Sequence, residues 1–240
     1  MPVSIDTVYQ RVLALANKEQ RGYITPQEYN LLANQAQLLI FDEYFYEIDK
    51  RLEDHGNSSE YSDMLDITSE KLSPFLNANV DMAAVNGATM TLPTTPVLHK
   101  LGTVFYNDGT KSIEVERIDA NQAELMQQTA LYAPAQERPV YVRRSETTLQ
   151  FFPTTATPVY SIATVNCNFI ARPIQAVWGY TVVNSQALYD ATLSTDFELH
   201  ASEETELVYK VLELAGVILN KPGLVQIATN EETALIAKKQ

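Results

Sequence analysis

Ile24-Thr25-Pro26-Gln27-Glu28-Tyr29-Asn30 is the stretch on which the fold turns. Thr25 is a good N-cap, because its hydroxyl can accept a hydrogen bond from an otherwise unpaired N–H. Pro26 falls at the first helical position, where a missing N–H costs nothing. Glu28 stands three residues after the cap and can reach back to close a capping box, and Ile24 and Tyr29 are spaced as a hydrophobic staple. No proline or glycine follows until Gly56. One helix of about 29 residues, roughly 43 Å long, is therefore predicted over Thr25 to Asp54. Tyr29, Leu32, Ala33, Ala36, Leu39, Ile40, Tyr44, Ile48 and Leu52 make one apolar face, which Phe41 and Phe45 widen well beyond a coiled-coil seam. That face is wide enough for more than one neighbour. Tyr29, Phe41, Tyr44 and Phe45 are accordingly the candidate subunit-interface residues, against a plain core role that periodicity alone favours.

Working outward, Ser4 to Asn17 reads as a first helix with Ile5, Val8, Val12 and Leu15 on one face. The link through Gly22 is short, so this helix is expected to fold back on the next as an antiparallel hairpin. Glu60 to Leu72 reads as a third helix that Pro74 stops. Beyond Pro74, helical periodicity gives way to Thr, Val, Tyr and Pro. Leu101 to Tyr106 and Lys111 to Arg117 flank Asn107-Asp108-Gly109 as a hairpin. Asp119 caps a short helix to Met126. Pro139 to Arg143 and Thr147 to Phe152 form a second hairpin about Ser145, and Val159 to Ile170 and Val177 to Val183 are further strands. Helical pattern returns after Ser202, read as the cap of a helix carrying Leu207, Val211, Leu214 and Ile218, with a weaker last helix over Leu224 to Ala237. The predicted fold is α+β. Residues 1–75 and 201–240 make a helical bundle, and residues 76–200 are an inserted antiparallel β-sheet or sandwich.

Net charge is −13, and Met1 to Phe75 alone holds 13 acids against 6 Lys and Arg. Phosphate contacts need Lys and Arg, so tight sequence-specific nucleic-acid binding is not expected. Like charges repel, so an acidic surface suits one past which nucleic acid slides. No apolar run approaches a membrane span, and Met1-Pro2-Val3-Ser4 lacks the basic flank and apolar core of a signal peptide. Cys167 stands alone and reads as a small buried residue.

No motif of catalysis stands out, and the sequence assigns no catalytic, cofactor-binding or metal residue; the chain is read as not an enzyme. Asp196, His200 and Ser202 are the nearest approach to a nucleophile set, but Ser202 is better explained as a helix cap. Glu114 and Glu116 share a strand face that reads as solvated rather than as an acid–base pair. Asn107-Asp108-Gly109 is a turn and not a calcium loop. Arg143 and Arg144 should point apart on a strand.

Two phrases carry a family resemblance. Asn17-Lys18-Glu19-Gln20-Arg21-Gly22-Tyr23-Ile24-Thr25-Pro26-Gln27-Glu28-Tyr29-Asn30, continuing through Ala33-Asn34-Gln35-Ala36-Gln37 to Phe41, is one. Ser194-Thr195-Asp196-Phe197-Glu198-Leu199-His200-Ala201-Ser202-Glu203-Glu204, running on to Val217, is the second. Both resemble virion structural proteins of crAss-like and related short-tailed phages of Bacteroidetes, and together with Trp178-Gly179-Tyr180-Thr181-Val182-Val183 they bracket nearly the whole chain. The helix–sheet–helix order is similar to that of head–tail adaptor, or neck ring, proteins. The resemblance implies a homo-oligomeric ring of about twelve copies under the portal. It also implies contact with portal and with tail or further ring proteins, and genomic DNA passing through without sequence-specific binding. Such a protein would fold in the host cytoplasm and reside at the head–tail junction of the virion. The alternatives are another capsid-associated or tail-hub protein, or a virion hydrolase of glycan or cell wall. The hydrolase would need two convergent carboxylates in a groove.

Overall fold

The computed structural model describes residues 2–18, 24–53, 66–67, 69–86, 88–107, 109–129, 131–135, 137–154, 165–218, 229–230 and 233, with backbone alone at 17–18, 47–53, 86 and 217–218. The chain is α+β, with a large and mostly antiparallel sheet. It forms two compact units: residues 1–74 with 173–240, and residues 75–172. Residues 173–200, grouped by sequence with the β-rich part, thus belong to the unit of the helices. Their short strands pair only with one another and with the N-terminus, never with the large sheet.

In the first unit, strand β1 (Pro2–Val3) leads into helix α1 (Ile5–Lys18), and α2 runs Pro26–Glu53. The Thr25–Glu28 box is formed. The Thr25 N–H donates to Glu28 Oε2 at 3.0 Å, and the Glu28 N–H donates to Thr25 Oγ1 at 3.3 Å. The close antiparallel hairpin expected of α1 and α2 is not what forms. They meet where Tyr9 and Tyr29 stack, ring centres 4.6 Å apart, and the Tyr29 hydroxyl donates to the Ile5 carbonyl near the start of α1. The C-terminal helix, Glu204–Ile218, packs against both. Arg11 pairs with its Glu204 at 2.8 Å, and Lys210 with Glu43 of α2 at 3.2 Å. Ile5, Val8, Val12, Tyr29, Ala33, Ala36, Ile40, Leu207 and Val211 are buried in this unit, while Leu15 and Leu39 of the expected apolar faces are exposed. Most of Glu60 to Leu72, nearly all of Leu224 to Ala237, the Gly22 link, and the side chains of Ile48 and Leu52 lie outside the described residues; 66–67 and 69–72 are helical.

The second unit holds β2 (Leu76–Asp81), β3 (Ala83–Asn86), β4 (Thr89–Thr91), β5 (Leu98–Asn107), β6 (Ser112–Arg117), α3 (Ala120–Gln128), β7 (Val140–Arg143), β8 (Thr148–Phe152) and β9 (Val165–Ala171). The Glu204–Ile218 helix is hence α4. Both expected hairpins, β5–β6 and β7–β8, form. Residues 159–160 and 161–164, expected to begin the β9 strand, lie outside the described residues. The strand order is β2-β9-β5-β6-β7-β8-β4-β3. Its two ends, β2 and β3, are one run of chain broken only at Met82. The sheet therefore curls until its first and last members are consecutive in sequence, which neither an open sheet nor a two-sheet sandwich requires. All pairs are antiparallel except β6 with β7, whose parallel pairing needs the crossover through α3.

Alternate residues of these strands fill one core. Val104 and Tyr106, Val115, Leu149 and Phe151, and Val165, Cys167 and Phe169 join Met82 and Met90 there. Outside, α3 covers Val140, Val142 and Phe152 through Ala123. Asn168 marks the bend. Two residues of β5, Gly102 and Thr103, and two of β2, Ala78 and Asn79, oppose it alone. These are bulges on both sides of one residue, and bulges bend and twist a strand. Asn79 takes φ +54° and its N–H donates to Asn168 Oδ1 at 2.8 Å. A Cβ on Gly102 would come within 2.9 Å of the Asn168 carbonyl oxygen, so only glycine lets β5 and β9 approach there.

Candidate functional site

The most specialised arrangement in the helical unit begins with three amides. Asn30, Asn34 and Gln37 stand at i, i+4 and i+7 on α2, one above another on a single flank. Alongside runs the extended segment 174–178, whose backbone they pair as a neighbouring strand would. Asn30 accepts from the Trp178 N–H at 2.8 Å and donates to its carbonyl at 3.3 Å. Asn34 accepts from the Ala176 N–H at 2.9 Å and donates to its carbonyl at 2.8 Å. Gln37 only donates, to the Ile174 carbonyl at 2.7 Å, because the Ile174 N–H is taken by Glu198 at 2.9 Å. Each such bond is worth about 1 kcal/mol net, and an orphaned buried group costs more.

Trp178 is the pivot. Its indole N–H donates to Asp6 Oδ1 at 3.0 Å, and its ring lies 4.4 Å from Tyr9 and 5.8 Å from both Tyr180 and Tyr189. A Cβ on Gly179 would fall 2.4 Å from the Leu193 backbone, so the chain passes there only as glycine. Asp190 closes the loop opposite. It accepts from the Thr192 N–H and hydroxyl at 3.0 and 2.6 Å, which hold its carboxyl below the ordinary aspartate range. Asp196 accepts from the Ile5 N–H at 2.9 Å and so caps α1 from far along the chain.

On this base stands a hairpin that the sequence reading missed: β10 (Tyr180–Val183) and β11 (Gln186–Tyr189), with Asn184 and Ser185 both at positive φ. That is the two-residue turn whose twist matches paired strands. An Asn-Ser pair between Val182-Val183 and Gln186-Ala187-Leu188-Tyr189 was the available signal. The strand expected over Val177 to Val183 begins only at Tyr180, since Trp178 is occupied by the amides. The hairpin exposes Val182 (68%), Val183 and Leu188, and Leu193 is exposed at its foot. Elsewhere in this unit, α1 and α4 leave a groove of about 290 Å³ lined by Arg11, Ala14, Leu15, Thr205, Val208 and Tyr209.

The residues marked by sequence fall differently. Tyr29, Phe41 and Tyr44 are 0–2% exposed within a single chain and Phe45 is half-buried, stacked edge-on to Phe41 at 5.1 Å. Tyr29, Phe41 and Tyr44 are therefore core residues and cannot form the surface of a subunit interface, while Phe45 keeps part of its ring exposed. The Phe41 flank that widened the apolar face is the flank of the amides. Burial drives the Tyr29 hydroxyl well above the ordinary tyrosine range. Asp196, His200 and Ser202 do not make a triad. Strand β12 (Phe197–His200) runs into a 3-10 turn (Ala201–Glu203) where His200 Nδ1, not Ser202, serves as the cap and accepts from the Ser202 N–H at 3.3 Å. Ser202 Oγ donates to Glu203 Oε1 at 3.0 Å, and that carboxylate, 1% exposed, pairs with Lys71 at 2.7 Å.

In the second unit, β5 and β6 are hydrogen-bonded only as far as the Val104–Val115 pair. Beyond it a cleft of about 780 Å³ opens between residues 99–103 on one side and Glu114, Glu116, Arg117, Tyr141 and Arg143 on the other. Glu114 and Glu116 are exposed, and among the described residues no third carboxylate lines the cleft. Arg143 is turned to the Ser145 and Glu146 carbonyls and Arg144 to Gln150, each closing the β7–β8 turn. Gly109 takes φ +91° and its N–H donates to Asn107 Oδ1, as a turn requires. His55 and Asp108 lie outside the described residues. Cys167 is buried, and burial pushes its thiol up to about 11. No described helix is long and apolar enough to cross a membrane. Comparison with protein-family models and with curated proteins found no match to the chain.

Proposed function

We propose that the chain is a structural protein of a phage virion, a ring-forming connector that joins portal to tail and contributes to the channel through which the genome leaves. The observation that carries this reading is the joint at Trp178. Both phrases that resemble virion structural proteins supply it, Asn30, Asn34 and Gln37 from the first and Asp196 and Ser194 from the second, together with Trp178 and Gly179. Their side chains fasten an extended segment and hold an exposed apolar hairpin on a rigid base. A part that docks needs that device; a part that turns over substrate does not. The helices of the N- and C-terminal segments are read as the bundle forming the body of each ring subunit. A chain of net charge −13 suits a wall past which DNA must slide without adhering.

Cryo-EM of the intact virion tests the reading directly. The expected result is density for this chain as a closed ring between portal and tail. Finding it only in the capsid shell, or only at the tail tip, would overturn the proposal.

A further inference from the structure

We infer that the β10–β11 hairpin of one copy docks in the α1–α4 groove of the next copy, head to tail. The inference deepens the connector reading and rests on it for its biological setting, but its argument lies within the helical unit.

Charge comes first. Copies of a chain carrying −13 repel one another, so self-association requires contact surfaces free of charge. Residues 173–189 hold no Asp, Glu, Lys or Arg in 17 consecutive positions, in a chain that is 20% charged. The groove is likewise nearly neutral. Among the described residues that line it, Arg11 alone is charged, and that charge is already paired with Glu204 at 2.8 Å. A strongly acidic or basic partner finds no complement on either surface, whereas a second copy supplies one for each.

Geometry comes second. Trp178, at the root of the hairpin, contacts Asp6 and Tyr9 of α1. The groove is lined by Arg11, Ala14 and Leu15 of the same helix. At 3.6 residues per turn these two sets lie roughly 160° apart around the α1 axis. Knob and hole therefore sit on opposite flanks of one rigid helix. A hairpin cannot reach its own groove, and a contact between different surfaces on opposite sides propagates, closing into a ring when the rotation per copy allows. Val183 and Leu188, which the register places on one face of the hairpin, are the side chains that enter.

Site-specific cross-linking tests this. Leu15→Cys and Leu188→Cys are made singly and together in the full chain and treated with a short bis-maleimide; Cys167, buried with a raised thiol, does not compete. Each single variant should stay uncross-linked, a mixture of the two should give dimers only, and the double variant should give a ladder ending at the ring size. In parallel, light scattering should show Val183→Glu reduced to monomer with an unchanged circular dichroism spectrum. Cross-linking of a single variant with itself, an unlinked mixture, a wild type monomeric at every concentration, or Val183→Glu assembling like wild type would each overturn the inference. The connector reading fails separately, if the chain is missing from the neck of the particle while the ladder persists.

Discussion

Glu28 reports on the first turn of α2 through pH. Hydrogen bonds from the Thr25 hydroxyl and N–H favour its ionised form and hold its carboxyl below the ordinary glutamate range. A carboxyl depressed in the folded state contributes stability that is complete above its unfolded value and lost as pH falls through its folded value. Glu28→Gln should therefore lower the melting temperature at neutral pH, and the gap to wild type should close as the solution is acidified below that range. A gap that persists at acid pH would mean that the carboxylate is not the source. Thr25→Ala should cost about 1 kcal/mol by urea denaturation. At Cys167 the expectation is silence: a thiol pushed up to about 11 inside the β core should react with a thiol-specific disulfide reagent only when the protein is unfolded. Equal rates in native and denaturing buffer would contradict the burial. The cap box and a buried cysteine were both legible in sequence, because each depends on residue type and near neighbours alone.

Among the elements, the amide row of α2 controls the hairpin's base. Asn34→Ala removes both partners of Ala176 and leaves its N–H and carbonyl partly buried and unpaired, at a cost of about 2 kcal/mol. Hydrogen exchange should quicken most at the Ala176 amide, with the Trp178 amide, held by Asn30, following less. Equal protection in the variant would show that the segment is held by other contacts. Nothing in the spacing of Asn30, Asn34 and Gln37 distinguishes this row from a solvated polar flank. Its meaning depends on an extended segment about 140 residues away having backbone groups to satisfy. Distance along the chain likewise hid the role of Asp196 as cap of α1; Ser202, read as the cap of the last long helix, instead lies within the 3-10 turn that His200 caps.

At the scale of the molecule, the β unit should be separable. Leu76 and Ile170 are paired neighbours on β2 and β9, so the chain enters and leaves this unit side by side. A fragment of residues 75–172 should fold alone, with one cooperative thermal transition and the near-ultraviolet signal of packed aromatics such as Tyr106, Phe151 and Phe169. A fragment that lacks that signal would show the unit to depend on the rest of the chain.

Local chemistry in the sequence determined the long capped helix α2, the helical character of α1 and α4, the two large hairpins and the α+β class, because periodicity, caps and turn residues act over a few positions. Tertiary structure alone decided which apolar residues were core: Tyr29, Phe41 and Tyr44 are enclosed by partners distant in sequence, which a wide face cannot name. It also decided that the sheet bends at Asn168 and brings β2 and β3, consecutive in the chain, to its two ends, since register and bulges arise between strands far apart in sequence. And it placed residues 173–200 with the helices, because side chains of α2 and the N-terminal strand satisfy backbone groups of that segment.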